Sequence, residues 1–105
     1  MIALTTTSHN TALGSQSLQN TTGNMNVGLG WRALMSTTGN QNTAVGTQAM
    51  QQNTTGNNNL AIGHFAGFTN TTGSDNTFIG KSADASSPNF NNATAIGANA
   101  VVAQS

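Results

Sequence analysis

The chain has 105 residues, of which only 4% are charged, and its formal net charge at pH 7 is zero. Two basic residues cannot form the positive surface that neutralises nucleic-acid phosphates or anionic lipids, so neither nucleic acid nor membrane is expected as a partner. The absence of Cys excludes disulfides and thiolate zinc sites. A surface with so little charge gives little protection against association, so we expect the chain to be part of an assembly.

A five-residue phrase that ends in an aliphatic residue and a glycine recurs along the whole sequence. Asn42-Thr43-Ala44-Val45-Gly46 is a typical copy. The final glycines, predicted to form corners, are Gly14, Gly30, Gly46, Gly63, Gly80 and Gly97. The steps between them are 16, 16, 17, 17 and 17 residues, so a repeat architecture has to be considered before any other fold.

A second phrase, Thr-Thr-Gly, divides the chain into units of nearly equal length. Residues 1–4 are predicted to be a lead-in, and residues 5–105 a single repeat domain. Its predicted coils are 5–20, 21–36, 37–53, 54–70, 71–87 and 88–105. The last coil departs most from the pattern, as terminal repeats of solenoids often do. Because the repeat begins almost at the first residue, we expect the sequence to be a fragment of a longer chain.

The local period of the phrase is two, which is typical of β-strands. Thr43 and Val45 should point to one side of a strand and Ala44 to the other. The phrase's glycine provides a positive-φ corner, and the Thr-Thr-Gly-Asn segments have the composition of turns. We therefore predict an all-β parallel β-solenoid, or β-roll, with two short strands and two turns in each of its six coils.

Stacking of the coils would place equivalent residues in columns. An aliphatic column is predicted to be the coil core: Leu13, Leu29, Val45, Ile62, Ile79 and Ile96. The preceding column is nearly all small and is predicted to face outward, at a contact between chains: Ala12, Gly28, Ala44 and Ala61. An amide column is predicted to hydrogen-bond each coil to the next: Asn10, Asn26, Asn42, Asn59 and Asn76.

Oligomerisation is expected because a single chain buries few apolar side chains per coil, too few to offset the entropy of ordering the backbone. A narrow wedge with one wall of small residues can pack around a threefold axis. We therefore predict a homotrimer.

The phrases Asn-Thr-Ala-Val-Gly-x-x-Ala and Asn-Leu-Ala-Ile-Gly-x-x-Ala resemble the head repeats of trimeric autotransporter adhesins. They resemble at least as closely the Asn-Thr-Ala-x-Gly repeats of bacteriophage tail fibres, and the resemblance extends from about Asn10 to Val101. It implies a left-handed β-roll that trimerises and contacts a host surface. The units of 16–17 residues are longer than the usual adhesin head repeat, which favours the phage fibres.

Candidate catalytic residues are few. The carboxylates Asp75 and Asp84 and the imidazoles His9 and His64 belong to different coils, so stacking cannot gather them into one pocket. His9 and His64 also lack a third ligand for a metal. We expect a protein that is not an enzyme and that has no metal or cofactor.

The residues just after the corner glycines vary most and are expected to face outward. Trp31, Arg32, His64 and Phe65 are the predicted receptor contact, since aromatic rings can stack on sugars. The alternative is that these side chains pack against an adjacent coil or chain.

The expected function is that of a structural fibre segment of a phage tail fibre or trimeric adhesin, outside the cell on a virion or a cell surface. It would contribute a rigid shaft or head and contact a host glycan or protein. The alternative is a subunit of a self-assembling extracellular filament. An ice-binding solenoid ranks last, because adjacent Thr residues in Thr-Thr-Gly should point to opposite sides.

Overall fold

The computed structural model describes residues 9–103. Within this range the regular elements are all β-strands, and every strand pair is parallel. One six-stranded sheet contains β1 (Thr11–Leu13), β2 (Val27–Leu29), β3 (Thr43–Val45), β4 (Leu60–Ile62), β5 (Thr77–Ile79) and β7 (Thr94–Ile96). A two-stranded sheet pairs β6 (Asp84–Ala85) with β8 (Val101–Val102). The predicted lead-in and the ends of the first and last coils lie outside the described residues.

The strands of the large sheet follow one another in chain order, each one turn after the last. Thr11 pairs with Val27, and Val27 pairs with Thr43, without a shift in register. The result is a parallel β-solenoid of about five turns, which confirms that the fold is an all-β parallel solenoid. Its Cα atoms extend over 36 × 21 × 15 Å.

The wall opposite the large sheet differs from the prediction of two strands in every coil. A second strand is present only as β6 and β8, near the end of the described chain. In the preceding coils the equivalent residues Leu18, Leu34 and Met50 have φ of 51°, 47° and 47°. Backbone hydrogen bonds still join these turns from coil to coil, as from the Leu18 N–H to the Ala33 carbonyl at 3.1 Å.

The prediction of which strand face is buried was wrong. The buried column of the large sheet is Ala12, Gly28, Ala44, Ala61, Phe78 and Ala95. The aliphatic column predicted as the core lies on the outer face, half-buried or exposed: Leu13, Leu29, Val45, Ile62, Ile79 and Ile96. The predicted chain–chain contact at Ala12, Gly28, Ala44 and Ala61 is therefore inside the coil and unavailable to a second chain.

The narrow coil interior explains this reversal. A Cβ added to Gly28 would lie 2.6 Å from Ser17 Oγ and 3.0 Å from Leu18 Cγ, so the opposite wall already fills the space. Large side chains enter the interior from that wall, at Leu18, Leu34 and Met50, and all three are fully buried. A sheet residue that faces them must usually be small, because close-packed interiors have no room for two large side chains at one level.

The corner glycines end the strands of the large sheet. All six have positive φ, between 121° and 132°. Gly46 shows a second constraint, since a Cβ there would lie 2.6 Å from the carbonyl oxygen of Gly63 in the next coil. Glycine is required both for the backbone conformation and for the close stacking of coils.

The predicted amide column forms a continuous buried hydrogen-bond ladder. The side chain of Asn42 donates from Nδ2 to the Gly56 carbonyl at 2.8 Å, and its Oδ1 accepts the Asn59 N–H at 3.0 Å. The same two bonds recur along the ladder and end on the Phe90 carbonyl and the Ala93 N–H. The predicted coil-to-coil bonding is thus confirmed.

A second set of buried polar side chains lies where the coils change from 16 to 17 residues. Thr21 and Thr37 follow Leu18 and Leu34 by three residues and point inward. In the longer coils Asn53 occupies this position, three residues after Met50, and donates to Thr37 Oγ1 at 3.1 Å. The next residue, Thr54, is exposed.

Candidate functional site

The outer face of the large sheet is one of two surfaces with functional potential. We call it the sheet face. Its first column is Thr11, Val27, Thr43, Leu60, Thr77 and Thr94. Its second column is the aliphatic one, from Leu13 to Ile96. Leu13 is 46% exposed, Ile62 39% and Ile96 64%, so large apolar side chains meet solvent along its whole length.

The sheet face is also uncharged and regular. Neither column contains an ionisable side chain. Parallel strands in unshifted register repeat the same short pattern about every 4.8 Å. A surface of this kind can be covered without removing a charge from water, which would oppose association.

The second surface is the corner that follows the glycines. We call it the corner ridge and define it by Trp31, Arg32, His64, Phe65 and Lys81. Backbone hydrogen bonds keep successive coils aligned here: the Gln48 N–H donates to the Trp31 carbonyl at 2.8 Å, and the Ser82 N–H donates to the His64 carbonyl at 2.8 Å. Trp31, His64 and Lys81 are exposed, as predicted for the variable corner residues.

Arg32 holds one end of the ridge in place. Its Cζ lies 4.5 Å from the centroid of the Trp31 ring, which is a cation–π contact. Its Nε donates to Gln16 Oε1 in the preceding coil at 2.6 Å. Two contacts therefore orient both side chains, and Trp31 nevertheless remains 42% exposed.

An aromatic cluster forms the middle of the ridge. The His64 ring stacks on Phe65 with centroids 4.3 Å apart, and Phe65 meets Phe68 edge-on at 5.1 Å. Phe65 and Phe68 are half-buried, while His64 is exposed. The phenyl rings of Phe65 and Phe68 thus pack against each other within one coil, and Phe65 supports an exposed imidazole.

The other candidate residues do not come together. His9 and Asp75 are exposed, and the half-buried Asp84 carboxylate accepts the Thr69 N–H at 3.0 Å. Among residues 9–103 no group of three potential metal ligands occurs, and no enclosed pocket is present.

Lys81 is a ridge residue that is not among the predicted site residues. Lys81 directly follows Gly80, just as Trp31 follows Gly30 and His64 follows Gly63, so the glycine spacing already placed these three residues in one column. Charge is the feature of the sequence that could have identified Lys81 as a site residue. Arg32 and Lys81 are the only Lys or Arg residues of the chain, and both lie on the ridge.

The part of the chain that the structure describes contains no helix of the length and apolarity needed to cross a membrane. Comparison with known proteins gave no match to a family model, to a curated protein or to a solved structure.

Proposed function

We propose that this chain is a structural segment of a trimeric fibre, of the kind found in phage tail fibres and trimeric adhesins, and that three copies join through the sheet face. It acts outside the cell, on a virion or a cell surface, and contributes length and stiffness. Besides its own copies, its partner is a host-surface glycan or protein that meets the corner ridge. The repeat resemblance described above supports this proposal.

The observation that carries the proposal is the exposure of the aliphatic column. Leu13, Ile62 and Ile96 lie far apart in the sequence, yet all occupy one outer column of one sheet. Contiguous apolar surface that runs the whole length of a small chain is typical of a protein interface. Burial of this column between copies would add the apolar contacts that a single chain lacks.

The position of the small residues also favours this contact. The small-residue column is buried and cannot meet a second chain: Ala12, Gly28, Ala44 and Ala61. The surface that can meet one is the aliphatic column on the opposite side of the same strands. Identical copies present identical columns, and closed symmetry can bring three sheet faces around one axis without leaving an open apolar edge.

In this fibre segment the repeats supply six coils, with the boundaries given above. The coil-to-coil bonds suit a shaft, because the buried amide ladder and the backbone hydrogen bonds both run along the axis. A repeat array of this type gains stability from each neighbouring interface and can be extended by further coils.

Static light scattering of the native chain tests the proposal. We expect a molar mass three times that of the 10.6 kDa chain, unchanged over a tenfold range of concentration. A mass of one chain would reject the trimer. A mass that grows without limit as concentration rises would support the self-assembling filament instead.

Ice binding remains a second candidate because of one feature of the sheet face. Thr11, Thr43, Thr77 and Thr94 form an outward column, interrupted by Val27 and Leu60. The column beside it is aliphatic, so the face supplies one Thr row and not two. Thermal hysteresis measured on a monomeric preparation would favour this candidate, and its absence from a trimeric one would favour the fibre.

A further inference from the structure

We propose that the corner ridge binds an anionic saccharide chain that lies along the solenoid axis. This names the ligand class for the host-attachment role, and it rests on the proposed function to that extent. The ridge itself belongs to a single chain.

The ridge carries the basic charge of the chain. Arg32 and Lys81, the two basic residues of the chain, both lie on the ridge. They are three coils apart, which corresponds to about 14 Å along the axis. The two acidic residues lie on other columns: Asp75 is exposed beyond the Thr-Thr-Gly turn, and Asp84 is in β6 and bonds to Thr69. No ion pair neutralises Arg32 or Lys81 among the described residues.

Two exposed rings on the ridge have a spacing that suits a saccharide chain. Trp31 and His64 are exposed and lie in one column two coils apart, about 10 Å along the axis. Arg32 and Phe65 each hold one of these rings in place, so little side-chain entropy is lost when a ligand binds. The C–H face of a pyranose stacks on such rings, and the spacing of successive coils is close to the length of one pyranose unit in an extended chain.

The density of charge on the ridge distinguishes a saccharide ligand from a nucleic acid, which also combines negative charge with stacking. A nucleic-acid strand carries a phosphate on every unit, and its affinity depends on many cations along its path. The ridge offers two cations with uncharged Thr47 and the His64 cluster between them. This low density of charge matches a polysaccharide that is acidic at only some of its sugars.

Trp31 provides the readout, because it is the only Trp and the chain has no Tyr. Its fluorescence would be titrated with hyaluronan oligosaccharides, which carry one carboxylate per disaccharide. We expect a saturable change that weakens with added salt, and a much weaker response to the neutral sugar chitohexaose. The Lys81→Gln variant should bind about fivefold more weakly, the upper range for one exposed ionic contact.

A charge-relocation variant is the matched control. Lys81→Gln combined with Gln52→Lys keeps the net charge at zero but moves the positive charge to an exposed position beyond Met50. If the ridge is the site, the double variant binds as weakly as Lys81→Gln alone. Restoration of native affinity would show nonspecific attraction and overturn the proposal.

Three further outcomes would also overturn it: no response to hyaluronan, an equal response to poly-L-glutamate, or a tighter response to oligo(dT). The last would assign the ridge to single-stranded nucleic acid. Light scattering on the same samples separates the two proposals. A trimer that fails to bind rejects the saccharide site alone, whereas a monomer that binds rejects the trimer alone.

Discussion

Gly67 and Phe78 occupy one shared space inside the coil. A Cβ added to Gly67 would lie 2.8 Å from Phe78 Cδ2 and 2.9 Å from Met50 Cγ, so these two side chains leave no room for another one there. At Gly28 and Leu18 the sheet residue is small and the opposite residue is large. At Phe78 and Gly67 the two sizes are exchanged between the walls.

This exchange predicts strong coupling between the two positions. Phe78→Ala should lower the free energy of unfolding by about 3–5 kcal/mol, because it leaves a cavity. Gly67→Leu should also destabilise the fold, since it collides with the ring. The double variant removes the ring and leaves only the contact with the Met50 side chain, so it should be more stable than Gly67→Leu alone. The positive φ of Gly67, 63°, strains a side chain placed there, but Leu34 adopts 47° in the same column.

Urea unfolding of the four proteins would measure this coupling as a double-mutant cycle. An interaction energy of at least about 1 kcal/mol is expected for residues in contact. Additive effects would show that the two side chains do not share the space.

The buried amide ladder predicts a large penalty at Asn42. Replacement of Asn42 by Leu leaves the Asn59 N–H buried without its partner, and leaves the Gly56 carbonyl with only the 3.2 Å hydrogen bond from Asn53 Nδ2. One unsatisfied buried group costs about 1–3 kcal/mol, so the free energy of unfolding should fall by at least that amount.

Asn20→Ala is the matched control for the ladder. Asn20 is exposed, and its side chain makes one long hydrogen bond, 3.4 Å, to Ser36 Oγ. Its loss should change the stability by less than about 0.5 kcal/mol. Similar thermal shifts for the two variants would contradict the role given to the ladder.

The assignment of inside and outside predicts opposite effects at Ala44 and Thr47. Ala44 is fully buried, so Ala44→Asn places an amide without partners in the coil and should cost several kcal/mol. Thr47 is exposed on the corner, and Thr47→Asn should have little effect. Thermal denaturation followed by circular dichroism would compare them, and a larger loss for Thr47→Asn would reverse the assignment.

The glycine spacing and the amide column are the features of the sequence from which the fold could be predicted. Gly46 and Asn42 recur at positions where a positive φ and a coil-to-coil bond are needed, so their spacing revealed the solenoid and its corners. The burial of Ala44 instead of Val45 could not be read from one strand. Alternation separates two faces of a strand, but which face is inside depends on the width left by Met50 on the opposite wall.

The candidate site was predictable in part for the same reason. Trp31 and His64 follow corner glycines, and that offset was enough to place them outward in one column. The stacking of His64 on Phe65 and the bond from Arg32 to Gln16 depend on side-chain conformations that the repeat pattern does not specify.

Sedimentation equilibrium of Ile62→Arg beside Gln52→Arg tests whether three copies join through the sheet face. Ile62 is in the outer aliphatic column, whereas Gln52 is exposed on another side of the coil. A charge at position 62 would be desolvated in every copy around the axis, so Ile62→Arg should sediment as a monomer, and the native chain and Gln52→Arg as trimers. A monomeric native chain, or an Ile62→Arg trimer as stable as the native one, would show that the sheet face does not join three copies.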